Sequence, residues 1–394
     1  MREGWRWYGS FDRISFSEIA QTGASEIVTA LHEIPYGQVW PLETIAKMRK
    51  SIELAGFRWS VVESLPVHDD IKRGEGNLSA LFANYRQSIA NLAAEGLKVI
   101  CYNFMPLLDW TRTDLKAPVE GGGTCLRFDA ARMAALEVYM LNRPGAEADY
   151  CGDALERGRV WYELSDDNKR DRLMKSVMAG LPGAYDRYDL PQLREALKRY
   201  EGIDRDVLCQ NFKRFLEEVV PTAEEHGVML AIHPDDPPRN ILGLPRIVST
   251  EADIAWILSA CDCVANGLTF CSGSLGAQPF NDVPQIAERF ADRIHFAHLR
   301  NVCKFADGSF EEAPHLGGDT NMALLIAILL GEEARRREQG RADADIIFRP
   351  DHGHELLDDV TRETHPGYSL VGRMRGLAEL RGVIAGISHE RAYL

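Results

Sequence analysis

The stretch VLCQNFKRFLEEVVPTAEEHGVMLAIHP, residues 207–234, holds the unit that decides the fold. Its first part has the apolar spacing of an amphipathic helix. Gly227 stops that helix, because glycine takes a positive φ at a helix end without strain. VMLAIHP then reads as a buried strand, apolar throughout and closing on His233.

The same unit recurs on either side. LETIAKMRKSIELAG (42–56) ends in Gly56 before the strand FRWSVVES (57–64), and LSALFANYRQSIANLAAEG (78–96) ends in Gly96 before KVICYNF (98–104). Further strand-length runs are EIVTAL (26–31), GLTFCSG (267–273), RIHFAHLR (293–300), DIIFRPD (345–351) and, more weakly, GVIAGI (382–387). Strand and helix alternating about eight times means parallel strands joined by helical crossovers. The expected fold is α/β, a (β/α)₈ TIM barrel. An open doubly wound sheet is the competing architecture, but no G-x-G-x-x-G follows the first strand.

A barrel of this kind takes about 250 residues, and the chain has 394. The excess lies mainly at 110–205. It holds a glycine run (121–123), a helix-like FDAARMAALEVYML (128–141) and SDDNKRDRLMKSVMAG (165–180), with Ser165 as the expected N-cap. These features read as a helical insertion after the third strand, bordering the mouth of a single domain that spans 1–394.

Acidic residues outnumber basic ones, 59 to 45, for a net charge of -14. That disfavours a nucleic-acid partner, which needs clustered Lys and Arg. The N-terminus lacks the apolar core of a signal peptide, and no run approaches a membrane span. Eight cysteines without C-x-x-C pairs make neither a disulfide framework nor a zinc ribbon. The expectation is a cytoplasmic protein, away from membranes and forming a homo-oligomer, in which a free cysteine can serve as a ligand.

In a barrel the C-terminal ends of the strands converge on one mouth. Four consecutive strands end in or near His233, Cys271, His298 and Asp351. Taken singly, each is more often a packed or hydrogen-bonded residue than a ligand. Together, on adjacent strands, they form an N, S and O donor set suited to a borderline divalent transition metal, with zinc, iron and manganese all admissible. Arg300 and Arg349, at adjacent strand ends, could clamp a carboxylate or could pair with internal Asp and Glu. Tyr368, in the loop HPGYS (365–369), is either a packing anchor or an acid–base group.

Longer segments resemble one family. WRWYG (5–9), IVTALH (27–32), WSVVES (59–64), CYNFMPLLDWTRTDL (101–115), RPGAEADY (143–150), HPDDPPRNILGLPRIVST (233–250), FCSGS (270–274), HLR (298–300), RPDHGH (349–354) and HPGYS (365–369) are similar to D-mannonate dehydratases, of the xylose-isomerase-like barrel type. The likeness runs from Trp5 to GLAELRGV (376–383). His365 stands where Asn is common, and the segment around Gly121–Gly123 diverges. The resemblance implies dehydration of D-mannonate to 2-dehydro-3-deoxy-D-gluconate in hexuronate breakdown. It implies Mn²⁺ or Fe²⁺, with ligands at the positions of His233, Cys271, His298 and Asp351.

That reaction removes the C2 proton of an aldonate and expels the C3 hydroxyl, so it needs a base and an acid. His352 and Tyr368 are the candidates, with the division of labour open. Arg300 and Arg349 are candidates for the substrate carboxylate, and Asn103 and His68 for its hydroxyls. His354 is expected to make a hydrogen bond that either supports a ligand residue or fixes the loop. A metal-dependent sugar isomerase or epimerase on the same barrel is the nearest rival, though Cys271 as a ligand speaks against it. A phosphodiester-cleaving hydrolase would want a basic groove, and a sugar-acid binding protein would turn nothing over.

Overall fold

Gly56, Gly96 and Gly227 take φ values of 88°, 81° and 60°. Each follows a helix (Leu42–Leu54, Leu78–Ala94 and Arg205–Glu225) and releases the chain into a strand. The last helix shows why the crossovers pack. Leu208, Phe212, Phe215, Leu216, Val219, Val220 and Ala223 are all buried and recur at three- and four-residue spacing. Each large apolar side chain buried this way contributes about 1.5–3 kcal/mol.

A computed structural model describes residues 1–180 and 188–392 of the chain. Its strands are β1 (Arg2–Arg6), β2 (Glu26–Thr29), β3 (Arg58–Glu63), β4 (Val99–Tyr102), β5 (Asp114–Pro118), β6 (Thr124–Phe128), β7 (Met229–Ile232), β8 (Asn266–Cys271), β9 (Ile294–His298), β10 (Val302–Lys304), β11 (Phe310–Glu312) and β12 (Ile347–Arg349). Eight of them close a parallel barrel in the order β1-β12-β9-β8-β7-β4-β3-β2. The expected (β/α)₈ architecture is therefore present.

Two strand assignments differ from the sequence reading. GVIAGI is no strand; it lies within the C-terminal helix Val371–Ala392. Leu377 and Leu380 are buried there, and Val383, Ile384 and Ile387 pack against the core, which is helical spacing. The eighth strand is instead β1. Three of its five residues are charged, so no apolar run marks it. Arg6 points into the protein and is buried, while Glu3 holds Arg381 of the C-terminal helix.

The insertion differs too. Because β1 opens the barrel, the excess follows the fourth barrel strand, β4, rather than the third. It is not purely helical. Gly121, Gly122 and Gly123, all with positive φ, turn β5 into β6, and this hairpin joins β10 and β11 in a second sheet of order β10-β11-β6-β5. Ala130–Ala134 is helical and widens into π-type turns over Ala135–Met140. Asp166, not Ser165, caps the helix Asp167–Val177 by accepting from the Lys169 amide. Ser165 closes the preceding helix by donating to the Tyr162 carbonyl. Residues 181–187 of the expected insertion lie outside the described residues.

Candidate active site

Barrel register brings the ligand candidates together. Cys271, the last residue of β8, stands opposite His298, the last of β9. His298 in turn stands opposite Arg349, the last of β12. His233 follows β7 directly. One ligand atom each from His233, Cys271 and His298 lies within 4.8 Å of the other two.

The hydrogen bonds decide where the imidazole lone pairs point. Nδ1 of His233 is 2.6 Å from the Pro234 carbonyl. A carbonyl only accepts, so Nδ1 carries the proton and Nε2 the lone pair. Nη2 of Arg349, which can only donate, lies 3.3 Å from Nδ1 of His298, so Nδ1 is the acceptor of that ring, while its Nε2 is 3.5 Å from the Glu63 carboxylate. Nε2 of His233 and Nδ1 of His298 lie 3.1 Å apart. Burial pushes the His233 pKa below its usual value, so this ring stays neutral. Sγ of Cys271 accepts from the amide and hydroxyl of Ser274, at 3.4 and 3.1 Å. It lies 3.6 Å from Oδ2 of Asp351. Asp351 reaches inward because its φ is 57°, a left-handed conformation that a short polar side chain tolerates.

This donor set fits a divalent metal. Two acceptor nitrogens this close suit a cation between them. Nitrogens held about 2.1 Å from one ion sit about 3.0–3.4 Å apart. Sulfur and carboxylate oxygen complete a borderline set.

Around these atoms lies a buried cage of charge. Arg349 forks onto Glu63 at 2.6 and 2.9 Å and also holds Asp351. Arg300 bridges Asp236 at 2.8 Å, Asp351 at 3.2 Å and Glu312 at 3.2 Å. Arg112 forks onto Asp236 at 2.7 and 2.9 Å and reaches Glu312 at 3.0 Å. Burial alone would raise the Asp351 carboxyl, but Arg349, with His352, His298 and Arg300, holds it well below its usual range. The same balance, with Arg112 and Arg300 supplying the charge, depresses Asp236.

Asn103, His352 and Tyr368 line one pocket with His233, Arg300, Arg349 and Asp351. The His352 and Tyr368 rings meet edge to face at 5.1 Å. Burial raises the Tyr368 hydroxyl above its usual pKa, against the pull of Arg349. His68 is not in this pocket. It caps the helix Asp69–Arg73 by accepting from the Asp70 amide at 3.1 Å, so its ring serves the backbone. Arg349 has every guanidinium nitrogen engaged by protein groups, and the internal-pair alternative describes it. Arg300 is paired as well, but its Nη2 is buried with no hydrogen-bond partner among the described residues. His354 donates from Nε2 to the Glu312 carbonyl at 2.9 Å, the loop-fixing one of the two roles expected of it.

Glu63, Arg112 and Glu312 escaped the sequence reading as site residues, and Asp236 was open between a supporting partner of the strand-end histidine and a turn residue. Arg112 in DWTRTDL and Glu63 in WSVVES stood within noted motifs. Glu312 carried no local signal. Larger concavities lie elsewhere, about 1030 Å³ at the N-terminal end of the barrel and about 540 Å³ beside the helix Asp167–Val177. Among the described residues, neither gathers His and Cys ligand atoms as the mouth does.

Comparison with known proteins places the chain in a family. The family profile of D-mannonate dehydratase (UxuA) matches residues 1–393. A mannonate dehydratase of Chromohalobacter salexigens is 53% identical over 388 residues, covering 98% of this chain and 99% of the relative. Mannonate dehydratase 1 of Agrobacterium fabrum is 50% identical, covering 99% and 98%. The crystal structure of mannonate dehydratase from Streptococcus suis serotype 2 superposes with a TM-score of 0.78 at 34% identity, covering 100% of this chain and 95% of that one. The chain is an enzyme and belongs to the D-mannonate dehydratase family.

Proposed function

We propose that this chain converts D-mannonate to 2-dehydro-3-deoxy-D-gluconate with a divalent metal, Mn²⁺ or Fe²⁺, in cytoplasmic hexuronate catabolism. His233, Cys271, His298 and Asp351 hold the ion. The observation that carries this reading is the 3.1 Å approach of the His233 and His298 ring nitrogens beside Cys271 and Asp351, in the same mouth as an acid–base pair. When bound, a divalent cation supplies Lewis-acid stabilisation of the negative charge that develops beside the substrate carboxylate.

The chain's own groups do the rest. Nη2 of Arg300 offers a buried, charged donor for the substrate carboxylate, and Asn103 offers an amide to its hydroxyls. His352 takes the C2 proton. Tyr368 keeps its proton at neutral pH, since burial raises it, and so serves as the acid. The C2–H bond breaks toward His352, and the C3–O bond breaks as Tyr368 protonates the departing hydroxide. The resulting enol takes a proton at C3 as its hydroxyl becomes the 2-keto group, and water is the only by-product.

The test is a metal-replete assay of wild type and His352→Asn on D-mannonate, reading keto-deoxy acid, with metal content measured alongside. Loss of turnover at unchanged metal content supports the assignment. Near-wild-type turnover overturns it, and an isomerised or epimerised aldonate in place of a keto-deoxy acid overturns the reaction.

A further inference from the structure

Glu312 ends β11 and is buried. Its Oε1 lies 3.1 Å from Nδ1 of His352 and 3.0 Å from Arg112, and its Oε2 lies 3.2 Å from Arg300. Burial alone would raise this carboxyl, but Arg300, then His352 and Arg112, hold it at about 2. It is therefore ionised and can only accept hydrogen bonds. The imidazole nitrogen facing it has to carry the proton. Nη1 of Arg300 is farther from that nitrogen, at 3.4 Å, and has nearer acceptors in Asp236 at 2.8 Å and Asp351 at 3.2 Å.

The backbone reinforces this contact. His354, two residues past His352, bonds the Glu312 carbonyl at 2.9 Å. The loop carrying the imidazole is thus tied to Glu312 by a side chain and by the main chain. Trp110 and Tyr368 pack the ring at centroid distances of 5.7 and 5.1 Å. A free imidazole favours the proton on Nε2, which would block that nitrogen from accepting another. The partner of the other nitrogen decides between the two forms.

We propose that Glu312 is a positioning residue for the dehydration, holding His352 as the Nδ1–H tautomer so that Nε2 faces the substrate free to accept the C2 proton. This rests on the acid–base reading of His352. A glutamine at 312 keeps the shape but can present its amide N–H to Nδ1, inverting the tautomer.

Glu312→Gln should lower kcat for D-mannonate by ~100-fold or more, with KM changed less than about threefold because substrate contacts persist. In the His352→Asn background the same change should add less than about twofold, since the group it acts through is gone. Nitrogen-15 spectra of histidine-labelled, zinc-loaded protein read the tautomer directly, with His352 identified by its loss in His352→Asn. Wild type should show a protonated Nδ1 and a bare Nε2, and Glu312→Gln the reverse. A bare Nδ1 in wild type overturns the proposal whether or not Glu312→Gln folds. So does full kcat in a folded Glu312→Gln. If His352→Asn keeps its activity, the acid–base reading falls instead, and the spectra still judge the tautomer.

Discussion

Nε2 of His233 and Nδ1 of His298 lie 3.1 Å apart, with the Pro234 carbonyl on the other nitrogen of the first ring and Arg349 3.3 Å from Nδ1 of the second. A shared cation would satisfy both nitrogens. Cys271→Ser removes the soft donor beside it and should weaken metal retention by about tenfold or more. Metal per chain, measured after dialysis against limiting Mn²⁺, checks this. Unchanged occupancy would remove Cys271 from the ligand set.

Gly273 lies against Arg300. A methyl group there would stand 2.0 Å from Nε of Arg300, closer than any real contact. Gly273→Ala should push the guanidinium off Asp236 and Asp351 and misplace Nη2. A charged hydrogen bond of about 1.5–3 kcal/mol corresponds to roughly a tenfold or greater rise in KM for D-mannonate. Steady-state kinetics decide it. An unchanged KM would deny Arg300 its role with the carboxylate.

Arg112 neutralises two buried carboxylates, Asp236 and Glu312. Arg112→Met leaves both short of a partner and should destabilise the fold by about 3–5 kcal/mol. Urea denaturation followed by circular dichroism measures this. A change within about 0.5 kcal/mol would show that the carboxylates find other partners.

His295 lies at the opposite end of the barrel, where burial pushes its pKa down to about 4. Its Nε2 donates to the Val264 carbonyl at 2.8 Å. The unfolded chain binds a proton here near pH 6.5, and the folded chain does not until about pH 4. Between those values the unfolded state holds more protons, so this contribution to stability falls as pH drops from about 6.5 to 4 and is complete above that window. His295→Gln keeps a donor and loses the titration. The difference in unfolding free energy between wild type and variant should slope with pH in that window and flatten outside it.

The barrel was legible because its punctuation is chemical. Gly56, Gly96 and Gly227 mark helix ends wherever they occur, and His233, Cys271 and His298 sit at strand ends that the alternation locates. β1 was not legible, because a strand that turns Arg6 inward and Glu3 toward Arg381 shows no apolar run. Val383, Ile384 and Ile387 misled because a short apolar segment looks alike on a strand and on one face of a helix. The charge cage was out of reach for a different reason. Arg112, Asp236 and Glu312 lie 124 and 76 positions apart in sequence, and no spacing rule links them. Only the closed barrel and its added sheet do.

That sheet takes two strands from the insertion and two from the segment after β9, with Phe128 paired to Phe310 across the join. Arg112, just before β5, and Glu312, at the end of β11, meet on it. The two segments consequently form one structural part. A chimera that exchanged residues 110–205 with another member of the family would also have to exchange 302–312, or the two halves of the site would arrive from different parents and fail to mate.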